Sequence, residues 1–234
     1  IKRTEDAIAL IGPSLTTEQI SHMATDDLSV MTTDAVRALS TQGLMALSTD
    51  QIASFTSDQI GAMRITQFNK FTSDQLAGLA TEDIHALSSA QVNWMTSSQV
   101  AGLSTAQMAA FDTADIAAMN TSAFSALSSD QLSGLTSDHF AAITTSQIAT
   151  LSSDDIRGLA TEDLHAFTSA EFKSLSASAI GNLSTDQIQG LATEHIAALT
   201  TSQAFALSSD QIVALSTDQI IAISSSDIAA MSDP

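Results

Sequence analysis

The side chains with chemistry to offer are 26 acids, five histidines and a great many hydroxyls, in a chain of 234 residues without cysteine. The acids are not scattered. Fifteen recur at one register of an eight-residue spacing, Asp50, Asp58, Asp74, Asp130, Asp186, Asp210 and Asp218 among them, and seven more, such as Asp83, stand one residue further on. Carboxylates repeated in rows are hard oxygen ligands, so these seven named positions are the candidates for weak binding of calcium or another cation. Calcium takes six to eight oxygens, and no segment here has an EF-hand or Gly-Asp-rich loop to provide them. The plainer role is complementarity to a helix dipole, roughly 0.3 kcal/mol per acid. His22, His85, His139, His165 and His195 fall at three different registers, without the pair spacing of metal ligands, and solvated imidazoles are the expectation. No hydroxyl lies in a Gly-x-Ser-x-Gly elbow, and no nucleophile, base and oxyanion donor can be assembled. The reading is therefore not an enzyme, with no cofactor beyond loosely held calcium. The lack of Cys also excludes disulfides, thiolate zinc sites and thiol nucleophiles.

The elements that position these residues follow from an octapeptide repeat. A large apolar residue stands at every eighth position from Leu15 to Met231, and a second one five residues after each, from Ile20 to Ile228, with Ala204 the one small exception. With the first apolar position written as slot 0, the octad reads Leu, Ser/Thr, Ser/Thr, Asp, Gln, Ile, any, Ala/Gly, as in Leu183-Ser184-Thr185-Asp186-Gln187-Ile188-Gln189-Gly190. Slot 5 and the next slot 0 are three apart, which puts both on one face of a helix but on opposite faces of a strand. A single long helix fails, because eight residues at about 100° each rotate the apolar pair by about 80° per octad. The chain must break in every octad.

The break is written in slots 1 and 2. Ser or Thr fills slot 1 in 20 of 27 octads and slot 2 in 25, with Gln or an acid following at slot 4, which is the pattern of a capping box. Either hydroxyl could be the cap. Helices of about six residues are too short to hold alone, so stability must come from stacking, and the small residue at slot 7 permits close approach. The expected fold is all-α, a solenoid of very short capped helices, one per octad, with a β-solenoid as the alternative. Residues 1–14, ending just past Pro13, read as a lead-in, 15–231 as one continuous array and 232–234 as a tail. The segment 72–95 resembles 152–175, which suggests duplication of a ten-octad unit. At the C-terminal edge Ile228 and Met231 are the candidates for self-association, since the last apolar layer has no charged capping repeat after it.

Charge sets the partners that can be excluded. Seven Lys and Arg against 26 acids give a formal charge of −19, which repels nucleic acid and anionic membranes. Apolar runs stop at about five residues, far short of the roughly 20 that span a bilayer, so membrane insertion is not expected. Ile1-Lys2-Arg3 begins without a signal-peptide pattern, as in a processed chain or a fragment.

The wording Leu-Ser-Thr-Asp-Gln-Ile-x-Ala-Leu resembles the octapeptide arrays of large bacterial secreted and cell-surface proteins of adhesin-like type, over residues 15–231. That resemblance implies an extracellular or cell-surface location and a structural or adhesive role, and it brings no catalytic residues. The expectation is a fibre, filament or surface stalk made by stacking octads. The alternative is a solenoid binding module that presents its variable slot to a protein or glycan.

Overall fold

The structure, a computed structural model, describes residues 15–231, and the side chains among them up to residue 229. The lead-in 1–14, the tail 232–234 and the side chain of Met231 lie outside the described residues. Among these residues there are 27 helices of four to seven residues, from Thr17–Ser21 to Ser225–Met231, and no strand. The all-α reading holds, and the β-solenoid does not.

Each helix begins at slot 2. Slot 1 is its N-cap, held extended (Ser48, φ −68°, ψ 165°), and a Ser or Thr there accepts from the slot 4 backbone N–H. The two hydroxyl slots therefore have separate roles: slot 1 caps, and slot 2 is the first helical residue. In octads such as Thr33–Ala38 the helix closes on the slot 0 residue, Leu39, again extended at φ −61° and ψ 142°. Two extended residues turn the chain into the next helix, so no described residue needs a positive φ. The glycines are there for space. A β-carbon on Gly102 would stand 2.8 Å from Cβ of Ser73, and one on Gly61 2.6 Å from the carbonyl oxygen of Ala86.

Packing divides the chain into two compact units, Ile1–Leu127 and Ser128–Pro234. Within each, a helix packs against the third helix after it: Thr33–Ala38 against Ser57–Ala62 in the first unit, Thr145–Ile148 against Ser169–Ser174 in the second. Three octads thus complete one turn, and each unit is a coil of such turns. Slot 5 side chains fill the middle: Ile52, Ile60, Leu76, Ile156 and Ile188 are fully buried, and slot 0 residues such as Leu79 and Leu175 nearly so. Each fully buried Ile, Leu or Phe contributes about 1.5–3 kcal/mol, and this layered core is what holds helices that would not form in isolation.

Candidate functional site

The feature that joins one turn to the next is the side chain at slot 4. Gln59 illustrates it. Its Oε1 accepts from the N-cap backbone N–H of Thr56 (2.7 Å), while its own backbone N–H donates to the Thr56 hydroxyl (3.3 Å). Its Nε2 then donates to the carbonyls of Leu28 (2.9 Å) and Met31 (2.6 Å) in the turn before. Gln67, Gln75, Gln91, Gln107, Gln187, Gln203, Gln211 and Gln219 repeat the arrangement, each reaching the corresponding slot 5 and slot 0 carbonyls one turn earlier. The amide is satisfied at both ends although it is buried, as at Gln91 and Gln211. The sequence shows this residue as half of a capping box. What it leaves unread is the second half of the amide, which turns a local cap into a ladder between turns at about 1 kcal/mol per bond.

Other residues at this slot keep the geometry by different means. Asn120 supplies an amide from slot 1, donating to the carbonyls of Asn93 (2.7 Å) and Met95 (2.8 Å), where slot 4 is only Ala123. Carboxylates cannot donate, and there the bond reverses. The slot 2 hydroxyl of the turn before donates to the carboxylate, as Ser57 to Asp83 (2.8 Å), Ser89 to Asp115 (2.7 Å) and Ser137 to Asp163 (3.3 Å). Burial raises the Asp115 carboxyl above the ordinary carboxylate value against the pull of the Ser89 bond, and it raises Asp163 likewise.

Two histidines also occupy the ladder. His195 accepts the Ala192 N–H at Nδ1 (3.3 Å) and lies with Nε2 2.7 Å from the Phe167 carbonyl, its ring stacked on Phe172. These contacts assign the proton to Nε2. His139 accepts the Thr136 N–H at Nδ1 (3.1 Å). Both rings are buried, which corrects the expectation of solvated imidazoles at these two positions. The signal was their shared register with Gln rather than with the other histidines. His85 is exposed as expected, and its Nδ1 lies 3.1 Å from Asp112 Oδ1. Asp112 stands at slot 1, yet its side chain makes no cap bond in the structure.

The slot 3 acids proposed for cations, Asp50, Asp58, Asp74, Asp130, Asp186, Asp210 and Asp218, all stand exposed in the first turn of a helix. Neighbours in sequence lie on different sides of the turn, while Asp50 and Asp74, or Asp186 and Asp210, share a side one turn apart. Among the described residues no three His, Asp or Glu side chains are grouped so as to hold a metal ion. Ile228 is half exposed, and so are its slot 5 equivalents Ile220 and, less so, Ile212. No described helix is long and apolar enough to cross a membrane.

Fold and ladder together define a helical repeat protein whose unit is a capped octad. The chain belongs to the ALTTAQ repeat family, whose profile matches residues 20–57, 33–65, 68–105, 76–113, 108–145 and 156–193, well over half of the length. Five of these six segments begin at slot 5, at Ile20, Phe68, Leu76, Met108 and Ile156. No curated relative matches the sequence.

Proposed function

We propose that this chain is an extracellular structural repeat protein, a fibre or surface stalk made by stacking octad turns, without a catalytic role. The observation that carries the reading is the interface between turns. The same surface, a slot 5 apolar layer rimmed by acceptor carbonyls and met by slot 4 amides, recurs through each unit. No inserted loop interrupts the octads of either unit, as suits a load-bearing or spacing element. The extracellular location is supported by the resemblance to secreted octapeptide arrays.

Electron microscopy of the purified protein at rising concentration tests this. Filaments that lengthen with concentration are the expected result. Single particles of one chain at every concentration would shift the assignment to a binding module for a protein or glycan, a reading favoured by the exposure of Trp94 and Met45 on the first unit.

A further inference from the structure

In unit Ile1–Leu127 several large or basic side chains interrupt the small, acidic pattern of the outer slots. Met45, Lys70 and Trp94 belong to octads exactly one turn apart, so they stand on one side of three successive turns, and all three are exposed, Trp94 by 59%. The slot 3 residues beside them are Gln42, Thr66 and Ala90, so this ridge carries no acid of its own at that slot. Another side of the same unit is its counterpart in shape and charge. There the helix Thr105–Ala109 shows only small side chains outward, Thr105, Ala106 and Ala109 with Ala110 just past its end, against the bulkier Glu82 and His85 of the turn before. The step leaves a groove of about 650 Å³ with Ala109, Ala110 and Phe111 among its walls and Glu82 and Asp112 at its rim.

We propose that the ridge of one copy docks along the groove side of a second copy, with Trp94 entering the groove and Lys70 facing Glu82. The pitch makes the match. Both surfaces repeat once per three-octad turn of the same coil, so two copies laid side by side and parallel keep step. When Trp94 lies opposite Ala109, Lys70, one turn earlier, lies opposite Glu82, and Met45 lies opposite the flat turn of Gly61 and Ala62. An indole N–H beside Asp112 and an ammonium beside Glu82 complete the polar contacts that an apolar floor alone would not orient. Ridge and groove are different surfaces, so the contact is heterologous and adds copy after copy instead of closing a dimer. The inference rests on the fibre reading and gives it a lateral contact distinct from end-on stacking.

Trp94 is the single tryptophan, so its emission reports the contact directly. The test compares wild type, Trp94→Ala and the groove-filling Ala109→Phe by fluorescence and sedimentation velocity across concentration, with circular dichroism to verify the fold. Both positions are exposed, so neither change disturbs the core. Wild type is expected to shift its emission to shorter wavelength as it associates. Each variant alone should lose association by about tenfold or more, as for loss of an aromatic anchor. Mixed, the two should form a 1:1 dimer, since Trp94→Ala keeps a groove and Ala109→Phe keeps a ridge. Unshifted wild-type emission in assembled material, or association unchanged in Trp94→Ala, would overturn the contact. Filaments that persist in Trp94→Ala would do so while leaving the fibre reading intact, and a monomeric wild type would end both.

Discussion

Two stretches of the ladder show how much one atom type matters. In the first unit Gln59, Gln67 and Gln75 fill slot 4 in three successive octads, a full turn of amides. In the second unit Asp155, Asp163 and Glu171 fill the same slot through a full turn. Backbone caps are alike in both: Ser152 N–H donates to Asp155 and Thr168 N–H to Glu171, as Thr56 N–H does to Gln59. The contacts between turns differ. Amides donate to carbonyls in the turn before, whereas Asp155 and Asp163 can only receive, from Ser129 and Ser137. Capping is thus satisfied by either residue, and cohesion between turns discriminates. The amide turn is held whatever the pH, and the acid turn is coupled to it through Asp163.

The comparison breaks most sharply at Gln59→Glu. The change keeps the size and the cap but turns a donor amide into a carboxylate aimed at the buried carbonyls of Leu28 and Met31. An uncompensated buried charge costs about 3–5 kcal/mol, read as a lower urea midpoint at pH 7. Repeating the titration near pH 4 is expected to recover most of the loss, because the protonated carboxyl regains a donor. A variant as stable as wild type at pH 7 would show that the amide ladder does not hold the turns.

The reverse exchange is smaller. Glu171 is buried in the ladder, and Glu171→Gln gives it an Nε2 that can reach the Ile143 carbonyl, the slot 0 acceptor one turn earlier, as Gln203 reaches Leu175. A gain of about 1 kcal/mol is expected, read by the same urea titration.

Smaller again is the response to acid at Asp163. Burial raises its carboxyl in the folded chain, so the protonated form is the one that folding favours. Its stabilising contribution is complete below the unfolded carboxylate value and is lost as pH rises through the raised folded one. Asp163→Asn is therefore expected to flatten the stability profile across that window and to exceed wild type at neutral pH. A profile with the wild-type slope would place the pH dependence elsewhere among the acids.

Much of this was legible in the sequence. The octad, its helical character, the buried Ile188 and Leu191 layers and the cap all follow from spacing and residue type. The number of octads per turn does not, because every octad carries the same slots and the three-octad closure leaves no period of its own. The ladder was half visible. Glu is as good as Gln in a capping box, and the dipole favours an acid there; yet slot 4 holds 14 Gln and only one Glu. That excess is the trace of a required amide donor, and it also explains His139 and His195, whose two ring nitrogens can accept and donate as an amide does. Asp112 stands at the cap slot without making a cap bond, and its partner there, His85 of an earlier turn, is something nothing in its own octad shows.

The smallest effect sharpens the contrast one residue upstream. Asp50 is the same kind of side chain as Asp155, but at slot 3 it stands exposed in the first turn of Thr49–Ala53, facing solvent instead of the turn before. Its remaining role is with the helix dipole, so Asp50→Asn is expected to lower stability by only about 0.3 kcal/mol. Since no three acids converge on a point among the described residues, millimolar calcium is expected to leave the melting temperature of both proteins in place. A rise that chelator reverses, and that Asp50→Asn reduces, would mean that carboxylates on successive turns, such as Asp50 and Asp74, share an ion. Slot 3 would then join the turns from outside as slot 4 does from within.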